Sequence, residues 1–221
     1  MRLAIFDLDH TLLAGDSDYL WGQFLVEQGL VDGAAYAHDN QRFYDDYVAG
    51  QLDIHAFAAF SMAPLVKHGH ETLAALRPKF MAEKIEPIIA AGAEALIEKH
   101  RAQGDELIIL TATSRFITEL ISQRLGVNTL IATEPERIKG RYTGRIAGTP
   151  CFREGKLLRL RAWLNGRAAH LTFYSDSRND LPLLEAADVA VAVDPDDILR
   201  TEALKRGWPV ITLRETLGAL T

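Results

Sequence analysis

Two aspartates one residue apart, Asp7 and Asp9, directly follow a short apolar run at residues 3–6. A carboxylate at the end of a buried strand is costly unless it has a use. In that position one aspartate can attack phosphorus and form an aspartyl phosphate. A second, two residues on, can protonate the leaving oxygen and then activate water. Paired carboxylate oxygens also suit a hard cation such as Mg²⁺. His68-Gly69-His70 has metal-like spacing, but no third ligand goes with it, and it reads as a surface turn. Tyr19, Trp21 and Phe24, at helical spacing, read as bundle core before substrate box.

The pair needs a scaffold that presents strand ends. Apolar, β-branched runs at residues 3–8, 107–110, 130–132, 171–174, 189–193 and 210–213 read as strands. Helical patterns fall between them, at 88–101, 116–125, 156–164, 181–187 and 198–206. This alternation predicts an α/β fold, a doubly wound, mostly parallel, Rossmann-like sheet covered on both faces. In such sheets ligands bind at the carboxyl ends of the strands. Residues 137–146 predict a small hairpin. From residue 15 to 84 there is no strand pattern, only four helical ones at 19–30, 34–48, 54–66 and 71–81. The expected organisation is therefore a core of residues 1–14 and 85–221 with a helical bundle, 15–84, inserted as a cap.

The chain has 221 residues, long enough for one large domain or a domain with an insertion. A net charge of −6 argues against nucleic acid as a partner. No run of 18 apolar residues suggests a membrane span, and charges among the first nine residues argue against a signal peptide. Cys151 is the single cysteine, which excludes an internal disulfide and points to a reducing, cytoplasmic setting. Residues 15–53 hold eight acids and one base, Arg42, whereas residues 137–178 hold ten bases and two acids. Solvated helix faces would explain both, but an acidic insert also favours a cationic ligand.

Asp7-x-Asp9-x-Thr11 resembles the first motif of the haloacid dehalogenase superfamily of phosphotransferases. Three more segments match in order: residues 107–114, a strand ending in Thr111; Lys156 in Gly155-Lys156-Leu157; and Ser175-Asp176-Ser177-Arg178-Asn179-Asp180. The resemblance implies that Asp7 is nucleophile and Mg²⁺ ligand. It makes Asp9 the general acid/base, its carbonyl also on the metal. Thr111 and Lys156 would hold the phosphate, and Asp176 would be the third metal ligand. Asp180 would orient the metal's waters, and Asn179 would lie near substrate. Each has a plainer reading: helix caps for Thr111, Asp176 and Asp180, and a solvated lysine for Lys156. Ser175 stands where many relatives have glycine.

The helical insert resembles the branch that includes phosphoserine phosphatase, where such a cap covers the site and selects substrate. Asp16 falls where that branch has an acid for the substrate ammonium. Asp16-Ser17-Asp18, Trp21-Gly22, Phe24-Leu25 and residues 174–184 resemble a bacterial subgroup with members assigned as histidinol-phosphate phosphatases. The resemblance implies a Mg²⁺-dependent phosphomonoesterase acting on a small cationic phosphorylated metabolite, histidinol phosphate first. Alternatives are a phosphoserine phosphatase, a phosphotransferase to another alcohol, and a non-catalytic phospho-ligand or signalling module. Asp16, Asp18, Trp21 and Arg42 are the candidate cap contacts, and a monomer or homodimer is expected.

Overall fold

The computed structural model describes residues 1–215. The last six residues of the expected core therefore lie outside the described residues. Six strands, β1 (Arg2–Phe6), β2 (Glu106–Ser114), β3 (Thr129–Thr133), β6 (His170–Ser175), β7 (Val189–Val193) and β8 (Val210–Ile211), form one parallel sheet. Its order is β3-β2-β1-β6-β7-β8, so β1 is central and the winding reverses beside it. Helices α6 (Ala93–Ala102), α7 (Arg115–Arg124), α8 (Glu154–Leu164), α9 (Leu181–Ala186) and α10 (Asp197–Arg206) connect the strands. The α/β Rossmann-like class expected from the alternation is the one observed.

β1 is buried on both faces. Its alternate residues feed two apolar layers: Ala4 and Phe6 join Ile97, Ile117 and Ile121, while Leu3 and Ile5 join Leu160, Phe173 and Leu199. This is the near-continuous apolar pattern of a central parallel strand.

Between β1 and β2 the chain is helical: α1 (Ser17–Glu27), α2 (Gly33–Ala49), α3 (Ile54–His68), α4 (His70–Ala74) and α5 (Arg77–Phe80). The single helix expected over 71–81 is two short ones. Pro78 stands in the first turn of α5, and without an N–H it cannot bond the carbonyl four residues back, at the end of α4. The helix expected from residue 88 begins at Ala93; Ile89 is extended instead and bridges Leu13 where the helical segment leaves and rejoins the core. The segment is not packed apart from the core. Trp21, Phe24, Leu25, Leu65, Leu73 and Phe80 belong to the same apolar cluster as Leu8, Ile109 and Phe116 of the α/β unit. The expected hairpin is present as β4 (Pro135–Ile138) and β5 (Arg141–Ile146), which rests on α3. No helix among the described residues is long and apolar enough to cross a membrane.

Candidate active site

The carboxyl ends of β1, β2 and β6 and the first turn of α8 converge beside the order reversal. The Asp7 amide donates to the Tyr174 carbonyl at 2.9 Å, extending the β1–β6 ladder one residue, and its Oδ1 accepts from the Leu8 amide at 2.8 Å. The chain then makes a wide helical turn, Leu8–Leu12, kinked by an extended Asp9 and a left-handed His10. At the kink the Asp9 carboxylate takes partners of its own. Its Oδ1 accepts from the Ser17 amide at 2.6 Å and its Oδ2 from the Thr113 hydroxyl at 2.7 Å. Asp9 is thereby clamped between the start of α1 and the end of β2.

Lys156 is 3% exposed, and its ammonium spans two carboxylates: Asp7 Oδ1 at 2.9 Å and Asp180 Oδ2 at 2.7 Å. Burial alone would lower its pKa, but Asp180 and Asp7 outweigh burial and hold it above the ordinary lysine value. Burial pushes Asp7 well up, with Asp180 and Asp176 adding to the rise and Lys156 opposing it. Asp176 is pushed up to about 7, mainly by burial, while the Thr11 hydroxyl donates to its Oδ1 at 2.8 Å. Thr111 is buried at the end of β2, its hydroxyl accepting from the Thr113 amide at 3.2 Å.

Asp180, expected to serve the metal's waters, gives Oδ2 to Lys156 and to the Ser175 hydroxyl, which donates at 2.6 Å. The serine at the usual glycine position therefore adds a hydrogen bond that steadies the loop. Gly155 is needed for close approach: a Cβ there would overlap the Pro150 carbonyl oxygen. Gly155→Ala is expected to cost about 1–3 kcal/mol and to lower activity by displacing Lys156. A urea titration and a phosphate-release assay on the same preparation check both.

Above these groups, α1 and α2 form the roof of a cavity. Asp7, Asp9, Thr111, Lys156, Asn179 and Asp180 line its floor. Asp16 and Asp18 line it from α1, with Asn40, Phe43 and Tyr44 from α2 and Phe57 from α3. Asp16 caps α1 by accepting from the Tyr19 amide at 2.8 Å, and burial together with the Asp9 charge raises it to about 6. Two of the expected cap contacts lie elsewhere. Trp21 is 2% exposed and stacks on Phe24, with its indole 5.0 Å from the Phe80 ring and 5.7 Å from Phe116, so it belongs to the core. The Arg42 side chain is 54% exposed, pairs with Asp39 and lies over the Phe43 ring on the outside of α2. Among the described residues, no arginine lines the cavity.

Sequence reasoning missed the residues that orient the aspartates. Thr11 and Thr113 lie inside the recognised motifs, which gave them no role of their own. The Ser17 contact uses a main-chain amide, which leaves no trace in residue type. It also missed Asn40, Phe43, Tyr44 and Phe57, whose cavity face appears only once α2 and α3 are placed over the sheet.

A family model described as haloacid dehalogenase-like hydrolase matches residues 4–185. The chain is 44% identical over 220 residues to a protein from Neisseria meningitidis serogroup C named histidinol-phosphatase, covering 96% of this chain and 99% of that one. A crystal structure of a protein of unknown function from Bordetella pertussis Tohama I matches with a TM-score of 0.90 at 44% identity, covering 96% and 98% of the two chains. A phosphoserine phosphatase structure holding a phospho-aspartyl intermediate analogue matches with a TM-score of 0.68, covering 98% and 95%; at 16% identity that likeness concerns the fold. On the family match and the full-length relative, the chain belongs to the haloacid dehalogenase-like hydrolase family and is a phosphatase.

Proposed function

We propose that the chain hydrolyses histidinol phosphate through an aspartyl phosphate on Asp7, in a Mg²⁺-dependent reaction. The observation that carries the substrate class is the composition of the cavity. A floor with one cation, Lys156, faces a roof of aromatic rings and two carboxylates, the buried Asp18 and the half-buried Asp16. A phosphoserine carboxylate would need a cation at that roof, and none lines it among the described residues. An amino-alcohol with a planar ring and no carboxylate matches it better. The full-length relative named histidinol-phosphatase supports the same reading.

In this mechanism an Asp7 carboxylate oxygen attacks phosphorus, and Asp9 protonates the departing alkoxide. Asp9 then takes a proton from the water that hydrolyses the acyl phosphate. Thr111 donates to the phosphoryl oxygens, Lys156 balances their charge, and Asn179 contacts the substrate side. The clamp from Thr113 and Ser17 holds Asp9 above Asp7 for both proton transfers. Asp7 and Asp176 are buried carboxylates just past the ends of the neighbouring strands β1 and β6, oxygen donors of the kind a hard divalent ion takes. Among the described residues no three acidic, histidine or cysteine side chains close a cage. The set would thus be open: the Asp7 and Asp176 carboxylates, the Asp9 carbonyl, and water, as Mg²⁺ commonly takes. When bound, Mg²⁺ supplies further neutralisation of the phosphoryl oxygens.

The α1–α5 segment, residues 15–84, would act as the cap on a core of residues 1–14 and 85–221. The buried free thiol of Cys151 suits a reducing compartment.

Phosphate release from a panel of amino-alcohol, amino-acid and sugar phosphates tests the reading. Histidinol phosphate is expected to exceed phosphoserine in kcat/KM by about 100-fold, on the basis of one buried charge mismatch. Chelation with EDTA is expected to abolish turnover, and added Mg²⁺ to restore it. A preference for phosphoserine would overturn the substrate; turnover undiminished by EDTA would overturn the metal.

A further inference from the structure

Asp18 is the least compensated charge in the cavity. Its residue is 8% exposed and lines the cavity, and among the described residues its carboxylate receives no hydrogen bond and no ion pair. The one ammonium lining the cavity, Lys156, is committed to Asp7 and Asp180. A buried carboxylate left this way costs several kcal/mol unless a ligand meets it.

Its surroundings describe what that ligand must be. Asn40, buried beside α1, donates to the Tyr19 carbonyl at 2.9 Å, and its amide fits there because Gly22 has no Cβ. Phe43 and Phe57 meet edge to face with centroids 5.5 Å apart, and Tyr44 lies 5.2 Å from Tyr19. Tyr19, Asn40, Phe43, Tyr44 and Phe57 line one cavity with Asp18. That space takes a flat ring carrying an N–H donor or a positive charge, because aromatic faces attract cations and planar rings while a carboxylate accepts the N–H.

Asp9, Asp16 and Asp18 belong to one short stretch, and the Ser17 amide ties the start of α1 to the Asp9 carboxylate. Asp16 caps that helix beside the tie, and Asp18 is its second residue.

Building on the reading of the chain as a histidinol-phosphate phosphatase, we infer that Asp18 and the Phe43–Phe57 wall form a ring subsite. In it the Asp18 carboxylate accepts the imidazole N–H of the leaving alcohol, while Asp16 serves the ammonium. Asp18 is a specificity-determining residue: it decides which alcohol is accepted and leaves the attack on phosphorus to Asp7.

The test measures kcat/KM for histidinol phosphate and for ethanolamine phosphate, which keeps the ammonium and lacks the ring. Wild type, Asp18→Asn, Asp16→Asn and Phe57→Leu are compared on single preparations, so each ratio is independent of the fraction folded. Asp18→Asn is expected to lower the ratio of ring-bearing to ring-free ester by about 30-fold, the loss of one charge-assisted hydrogen bond. Phe57→Leu, which leaves the charge alone, is expected to lower the same ratio in the same direction. Asp16→Asn is expected to depress both esters together. A ratio unchanged by both Asp18→Asn and Phe57→Leu overturns the ring subsite while the phosphatase reading stands. A wild-type enzyme that does not favour histidinol phosphate over ethanolamine phosphate overturns the substrate reading and the subsite with it.

Discussion

Asp7→Asn is expected to lower turnover by about 10⁴-fold or more while leaving the protein folded. The amide keeps the size of the carboxylate, so the amide of residue 7 can still donate to Tyr174 and the end of β1 stays in place. What is lost is the proposed nucleophile, and neither Asp9 nor Asp180 is free to replace it. Asp9 is clamped by Thr113 and Ser17, and Asp180 is bonded to Lys156 and Ser175. Stability should hold or rise, because one of the buried carboxylates that repel each other is neutralised while Lys156 keeps Asp180 as partner. Phosphate release and a urea titration on the same preparation decide the matter. Turnover within tenfold of wild type would remove Asp7 from the role of nucleophile.

Lys156→Met is expected to strike both activity and stability. Its ammonium is the shared counter-ion of Asp7 and Asp180, and all three groups are buried. Removing it leaves two unpaired carboxylates in a low-dielectric site, a change that costs about 3–5 kcal/mol in comparable buried pairs. The double variant Lys156→Met with Asp180→Asn separates the two effects. It is expected to recover much of the stability, because one of the stranded charges is gone, and to recover no activity, because the cation at the phosphoryl group is still missing. A single variant as stable as wild type would mean that the ion pairs contribute little to the fold. A double variant that regained turnover would remove Lys156 from the phosphate site.

The chemistry-bearing residues and the fold class were legible in the sequence because both are local properties. A buried parallel strand is written as a run of apolar residues, and an aspartate at its end stands out against that run, as Asp7 does after Phe6. Strand and helix periods alternate along the chain, and βαβ handedness leaves few ways to assemble them. The order of the four motifs therefore implied that strand ends would meet. The cap side of the cavity was legible as an excess of acid in residues 15–53 and, by resemblance, in Asp16 and Asp18; charge composition by itself carries a sign but no direction.

Direction was decided by the tertiary structure. Trp21 and Arg42 were candidates for the ligand by residue type and place in the insert. Packing of α1 against Phe80 and Phe116 buries Trp21 in the core, and the outward face of α2 carries Arg42 to solvent. The same packing turns Phe43, Tyr44 and Asn40 inward, although nothing in their types separates them from neighbours on the helix. The Lys156 partner of Asp180 was decided the same way: the lysine arrives from α8, 24 residues earlier in the chain, and comes within 2.7 Å of the carboxylate. Residue type and spacing thus determined which groups could react. Which of them touch is a matter of long-range packing, because a helix face acquires an inside only when something is placed against it.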